Sequence, residues 1–469
     1  MGISLRASKR DVLWNYAGTI ISMGSSFLLL PILLVFLNDN ELGLWYVFLA
    51  ISSLTNLFEF GFNPTFARNI VYVIGGAREL SSFECVRQSI DDGVDWHLLR
   101  TVMKTCKFIY SSIAMIALFL VTVPGTIYIH SISGSIPGEI VWPAWVVFCI
   151  SIFLNLYFLY WNTFLRGAGD VAGENRAITI AKIAQLVVSY ILVSWGWGLL
   201  GASLGYLAYG LLLRFIAARS FLTHSQLVNG LEGDSSKIDL SEMVEIVKSI
   251  SGIAWRDGVV QLAAYFSTQA TTMVCSATLT LAQTGTYSVL MQFANAIASV
   301  SSAYARSYYP TFQSAFVENN IDVERDVVSK STAVYWIFMV LGTIFCCLVV
   351  LPILPLFKPD VHVDIYLFAL LSIYLGLWQQ HSMFCNFIVG MNQIPYLFAY
   401  VAASVAGLLI SIVLIKVFSL GAYGLVLGQA ISQAVFNNFR WPRWVARKLG
   451  VGYFYFLANG FNKIKAKLF

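Results

Sequence analysis

Charge is scarce in this chain. Only 11% of its 469 residues are Asp, Glu, Lys or Arg, against 58% hydrophobic, whereas a soluble domain carries roughly a quarter charged. That excludes a water-soluble globular protein, and the formal charge of +5 is better assigned to loops facing anionic lipid than to nucleic acid. The cysteines (Cys85, Cys106, Cys149, Cys275, Cys346, Cys347, Cys385) lack paired spacing, which argues against a disulfide framework. The five histidines form no ligand cluster, so neither a metal nor a cofactor is expected. No Gly-rich loop is followed by Lys-Ser or Lys-Thr, which removes a built-in nucleotide motor. The short loops of one side carry no catalytic pair, so an enzyme is not expected. Arg6, Lys9 and Arg10 precede an apolar segment too long for a signal-peptide core and without a small-residue cleavage site, which reads as a retained first span.

What is present is apolar runs of about 20 residues, the length that crosses a hydrocarbon core of about 30 Å as a helix. They predict twelve spans at 12–37, 42–65, 106–129, 141–165, 177–197, 199–217, 250–275, 284–309, 332–357, 364–389, 395–415 and 421–440. All of the 29 Lys and Arg except Lys358 and Lys416 fall on the side of the N-terminus, which makes both termini cytoplasmic. The predicted organisation is an N-lobe at 1–217, a cytoplasmic inter-lobe linker at 218–248, a C-lobe at 249–440 and a basic cytoplasmic tail at 441–469. Residues 75–104 alternate charge with Phe83, Val86, Ile90 and Leu98 and read as an amphipathic helix on the inner surface. A helix start is expected at Ser241 to Glu245.

Two spans carry the same polar ladder, each after an arginine: Asp11, Asn15, Thr19, Ser22, Ser26 behind Arg10, and Asp257, Gln261, Tyr265, Thr268, Thr272 behind Arg256. This spacing keeps each set on one helical face, and a polar face at bilayer depth implies a hydrophilic cavity. Pro64-Thr65-Phe66 recurs as Pro310-Thr311-Phe312, Gly167 as Gly390, and Leu200-Gly201-Ala202 as Leu420-Gly421-Ala422. Two six-helix lobes of the same orientation, related by an axis along the membrane normal, follow from that order of repeats. The fold class is thus an all-α polytopic membrane protein with about twelve transmembrane helices in two lobes.

In the second span Ser52, Asn56, Glu59 and Asn63 share a face. A carboxylate at bilayer depth costs about 2.5–3.5 kcal/mol on insertion scales, so Glu59 should meet water, a cation or a proton and serve ion coupling. The plainer alternative is a rim residue paired with Arg68. Gln292, Asn295, Ser299, Ser302 and Arg306 form a third stripe that ends in a cation. A guanidinium matches a pair of phosphate oxygens and stays charged. Arg306 and Arg256 are therefore candidates for holding a diphosphate, with Asn15, Asn63, Gln261, Gln292 and Asn295 lining the cavity and Asp257 as a second protonatable group. The alternative is topogenic, since inner-rim arginines are expected for any substrate. Lys182 and Arg214 are expected to reach the inner rim by snorkelling.

The stretch Leu42 to Asn69, LGLWYVFLAISSLTNLFEFGFNPTFARN, resembles the second-span signature of bacterial O-antigen and polysaccharide flippases, and Arg-Gly-Ala-Gly-Asp at Arg166 to Asp170 matches after span four. These form the polysaccharide transporter branch of the multidrug, oligosaccharidyl-lipid and polysaccharide exporter superfamily. The resemblance implies a MATE-like fold and translocation of an undecaprenyl-diphosphate-linked oligosaccharide across a bacterial inner membrane by alternating access with cation or proton coupling. It carries over Glu59 and Arg306, then Arg256 and Asp257. Expected partners are the lipid-linked oligosaccharide, membrane lipids, and a polysaccharide polymerase or glycosyltransferases, with no nucleic acid. A multidrug exporter of the same fold and a membrane-embedded polymerase or ligase remain the alternatives.

Overall fold

A computed structural model of the chain describes residues 28–59, 62–76, 94–234, 236–357, 364–391, 393 and 395–468, the side chains at 64, 171, 252–257, 310, 314, 317, 356, 357, 467 and 468 excepted. The described residues form helices and short connections, with no strand among them. The chain divides into two compact units, Met1–Gln261 and Leu262–Phe469.

The first unit contains α1 (28–36), α2 (Asp39–Asn56), α3 (Phe62–Ile74), α4 (Trp96–Leu120), α5 (Thr126–Ile132), α6 (Gly138–Tyr157), α7 (Tyr160–Gly167), α8 (Val171–Leu192), α9 (Gly198–Leu222), α10 (Ser225–Gly233) and the first part of α11 (Leu240–Thr268). Asn38 starts α2 through a capping box. Its side chain accepts from the Glu41 amide at 2.9 Å, and Glu41 accepts from the Asn38 amide at 3.2 Å, so two otherwise orphaned donors at the helix end are satisfied. Asp95 caps α4 by accepting from the Leu98 amide at 2.9 Å. Residues 96–104, expected to lie on the inner surface, instead continue without interruption into the span. The cap sets the start of the helix, and an apolar face carries it on. Pro124 removes a backbone donor, and α4 passes into α5 through a π-helical turn, Val121–Gly125.

The second unit holds the rest of α11, α12 (Ala270–Thr278), α13 (Leu281–Ser301), α14 (Ala303–Val317), α15 (Ile321–Phe345), α16 (Leu351–Phe357), α17 (Ile365–Gly390), α18 (Leu397–Lys416), α19 (Gly421–Val435), α20 (Asn437–Lys448) and α21 (Tyr453–Leu468). The stretch expected to be a basic tail is two packed helices. Gly460 of α21 sits so close to α15 that a Cβ there would lie 2.2 Å from the Ser329 carbonyl, and Phe456 is fully buried beside Phe384.

Each unit pairs two helices through glycines. A Cβ on Gly201 or Gly205 would strike Leu192 or Ser189, and one on Gly424 or Gly428 would strike Ile415 or Ser411. Small residues let backbones approach where lipid offers no hydrophobic drive to associate. The repeat between these helices therefore matches Gly201 to Gly424, not to Gly421. That is the same offset that separates Gly167 from Gly390. Gly421 has the left-handed φ of 53° that opens its helix, as Gly198 has at 45°, a conformation that favours glycine.

Among the described residues, six helical stretches are long and apolar enough to cross a membrane: Asp39–Glu59, Trp96–Ile132, Gly138–Gly167, Ala172–Leu222, Ile321–Pro355 and Leu397–Lys416. The fourth holds two helices, α8 and α9. Phe119 and Ile127 in the second stretch and Leu348 in the fifth are exposed, which suits hydrocarbon as the surrounding solvent.

Candidate functional site

The signature stretch leaves the α-helical form just before the carboxylate. α2 ends in a 3-10 turn, Leu57–Glu59, and α3 opens again at Phe62 with Pro64 in its first turn, where the missing amide costs little. Glu59 thus ends a 3-10 turn, the kind of irregular backbone that membrane proteins keep where polar groups meet a cavity. The Tyr110 hydroxyl, on a fully buried side chain of α4, donates to Glu59 Oε1 at 3.2 Å. Asn63 hydrogen-bonds to the same carboxylate, and Arg214 and Arg166 act on it electrostatically. A hydrogen bond to a charged group is worth about 1.5–3 kcal/mol, so the phenol and amide offset much of the cost of holding the carboxylate there.

Arg214 does not snorkel. Its Nη1 donates to Asn162 Oδ1, and Nε and Nη2 donate to the Asn155 carbonyl at 3.3 and 3.2 Å. Arg166, by contrast, is held by Glu174 through two bonds of 2.9 and 2.7 Å. Asp170 caps α8 by accepting from the Gly173 amide at 2.7 Å, and a Cβ on Gly167 would lie 2.6 Å from Ile70. The Arg-Gly-Ala-Gly-Asp motif is therefore a helix-to-helix turn whose residue types are explained by packing and capping. Lys182 lies over the Tyr209 ring at 4.1 Å and donates to Gln185 at 3.2 Å.

In the second unit the third polar stripe is bounded by a break at Ser302 between α13 and α14. Gln292 and Asn295 are half-buried on α13. The exposed Arg306 folds back along the stripe, its Nη1 donating to Ser302 Oγ and its Nη2 to the Ser299 carbonyl, each at 2.7 Å. Among the described residues no carboxylate pairs with it. Gln261 is exposed, whereas Tyr265 is buried and donates to Met273 Sδ at 3.0 Å. The ladder behind Arg256 thus ends on a buried face. Asn15 and the whole ladder behind Arg10 lie outside the described residues, as do the side chains of Arg256 and Asp257.

A buried network escaped the sequence reading because its members sit off the ladder. Ser267 Oγ meets Ser404 Oγ at 2.7 Å, its carbonyl accepts from the Tyr374 hydroxyl at 2.7 Å, and its hydroxyl accepts from Gln433 at 3.3 Å. Asn437 then donates to Gln433 at 2.8 Å and accepts from Trp441 at 2.9 Å. Buried amides and hydroxyls at helix-contact spacing, such as Gln433, Asn437 and Trp441 at intervals of four, were the available signal.

No protein-family model and no curated protein matches the chain. Solved structures do. A multidrug resistance MATE family transporter of the MOP superfamily in its inward-facing conformation superposes with a TM-score of 0.68 at 16% identity, covering 94% of this chain and 99% of that one. This chain has the MATE fold. The outward-facing conformation of such a transporter gives 0.58 at 16% identity over 95% and 99% of the two chains. The lipid II flippase MurJ, inward closed, gives 0.61 at 11% identity over 96% and 91%. On the MATE fold, Glu59, Asn63, Tyr110 and Arg214 gather within the first unit, and Gln292, Asn295 and Arg306 line one stripe of the second.

Proposed function

We propose that the chain is a flippase that carries an undecaprenyl-diphosphate-linked oligosaccharide from the cytoplasmic to the periplasmic leaflet of a bacterial inner membrane. Its lobes, 1–217 and 249–440, alternate access around a cavity lined by the polar stripes, with 218–248 as their cytoplasmic connection and twelve spans in all. The carrying observation is Arg306, an exposed guanidinium at the end of a hydroxyl and amide stripe and without a carboxylate partner among the described residues. A cation left unneutralised there suits a doubly charged phosphate group, to which it can present two parallel donors. Arg256 is assigned as a second phosphate contact, and Asn15, Asn63, Gln261, Gln292 and Asn295 as contacts for the sugars.

Coupling rests on Glu59, with Asp257 as the second site. Its surroundings supply one phenol, one amide and nearby guanidinium groups, so a proton or small cation arriving there changes the charge balance of the whole first-unit cluster. The MurJ likeness supports a lipid-linked substrate. The MATE likeness equally supports export of small molecules, and the multidrug reading stands as the second one. Arginine at the cavity mouth disfavours cationic drugs.

Complementation tests the reading. Expressed in a flippase-null strain with defined repeat units, the chain should restore surface glycan for at least one repeat unit. A strain that recovers drug efflux and no surface glycan refutes it in favour of the exporter.

A further inference from the structure

The second unit carries a second group of cations, on residues separate from the stripe of Arg306. α19 runs antiparallel to the span α18: Ser411 donates to the Leu425 carbonyl at 2.9 Å, and Asn437 donates to the Ala399 carbonyl at 3.4 Å. The junction of α19 and α20 therefore stands at the end of α18 where that span begins, the end assigned to the cytoplasm by the Lys and Arg distribution. There the backbone leaves the helical region at Phe436, with φ −138° and ψ −60°, and α20 turns off as a separate helix.

α20 has two unlike faces. Asn437, Asn438, Trp441, Pro442, Val445 and Ala446 are buried, fixed by the Asn437–Trp441 bond and by Asn438 against His381 at 2.8 Å. The opposite face presents Arg440, Arg443, Arg447 and Lys448, all exposed, around a groove with Phe436 and Phe439. Arg443 lies 5.8 Å from the Phe439 ring centroid and Lys448 5.5 Å from that of Trp444. Phe436, Phe439 and Val435 remain 45%, 55% and 79% exposed.

A row of charges is ordinarily only a solvated helix face. Two features set this one apart. From Ile365 to the C-terminus the chain contains no Asp or Glu, so the opposite sign that interleaves an ordinary surface helix is absent. The cations also border bare aromatic and aliphatic side chains at the end of a span, the pairing that holds a charged headgroup and an acyl chain together.

We infer that this groove binds an anionic phospholipid of the surrounding leaflet, its phosphodiester between Arg440, Arg443 and Arg447 and its acyl chain along Val435, Phe436 and Phe439. The site is independent of the transport reading, since its occupant is bilayer lipid and its readout is lipid retention.

The test titrates the delipidated full-length protein with phosphatidylglycerol or phosphatidylcholine and counts bound lipid by native mass spectrometry. Phosphatidylglycerol should be preferred. The double variant R443Q/R447Q should lose about 25-fold in affinity for it, taking about fivefold for each charge removed, while R443K/R447K retains most of it. Both positions are exposed, and the lysine variant controls for the fold. Equal retention of the two lipids, or equal retention by wild type and R443Q/R447Q, overturns the inference. So does complete displacement of phosphatidylglycerol by equimolar polyprenyl diphosphate, which makes the groove a loading site for substrate, or by inorganic phosphate, which makes it a simple anion site.

Discussion

Replacing Arg306 with alanine should separate substrate binding from folding. The guanidinium makes two bonds of 2.7 Å, to Ser302 Oγ and the Ser299 carbonyl, and the side chain is otherwise exposed. A forked contact with a diphosphate is worth about 3–6 kcal/mol gross, at about 1.5–3 kcal/mol for each bond to a charged group. Giving up the two present bonds, made to neutral acceptors at an exposed position and worth about 0.5 kcal/mol each, takes back about 1 kcal/mol and leaves at least about 2 kcal/mol, or about 30-fold in affinity. The folding cost is small, within about 0.5 kcal/mol for an exposed position, because the bonds lost are local ones across the Ser302 junction. Arg306→Ala should therefore reach the membrane at wild-type levels, bind a lipid-diphosphate oligosaccharide at least about 30-fold more weakly, and fail to restore surface glycan. Arg306→Lys keeps a point charge without the fork and should fall between the two. Binding of the purified protein and surface glycan in a complemented strain provide the readouts. Unchanged affinity with full surface glycan in Arg306→Ala refutes the reasoning.

Glu59→Gln keeps an acceptor for Tyr110 and removes the charge. It should uncouple transport from the pH or sodium gradient without loss of protein, and transport that still follows the gradient moves coupling to another residue. Gly428→Val places a Cβ 2.4 Å from the amide nitrogen and Oγ of Ser411, so α18 and α19 must separate. A cost of about 1–3 kcal/mol should appear as a lower melting temperature in detergent, whereas Gly233→Ala, with nothing within 4 Å, should leave it unchanged. Asp234 is held below the usual carboxylate range by the Ser236 hydroxyl and backbone amide, with His97 and Arg100 adding to the effect. A depressed carboxylate favours the folded contact above its unfolded pKa of about 3.9 and loses that contribution as pH falls through the folded value. Proteolysis around residues 234–240 should accordingly accelerate only in strong acid, and Asp234→Asn should remove that step.

Helix content was legible because apolar runs of span length are unambiguous, and the caps at Asn38 and Asp95 follow the residue types that favour them. The spacing of four between Glu59 and Asn63 does bring the two together, although the α-helix that carries Ser52 and Asn56 ends before Glu59. The other partner of Glu59 was not legible. Tyr110 lies 51 positions away on another helix, and nothing local distinguishes a tyrosine that donates to a carboxylate from an interfacial anchor. Arg214 misled for a related reason. Near a helix end a long cation usually reaches water, yet the Asn155 carbonyl and the Asn162 amide close around this one. The repeat offset slipped by three residues in the last span because Leu-Gly-Ala recurs by composition, whereas the glycines that touch a neighbour are set by packing. Ser267, Gln433 and Asn437 stayed hidden among ordinary helix residues until their neighbours were known.

Transbilayer movement by the purified chain tests the flippase proposal most directly. Proteoliposomes would be loaded with a fluorescent undecaprenyl-diphosphate oligosaccharide, and the fraction reaching the opposite leaflet followed by quenching from outside, with and without an imposed ion gradient. Gradient-stimulated movement in wild type, absent in Arg306→Ala and insensitive to the gradient in Glu59→Gln, is the predicted result. No movement of the lipid above protein-free vesicles, with a small organic cation transported by the same preparation, contradicts it.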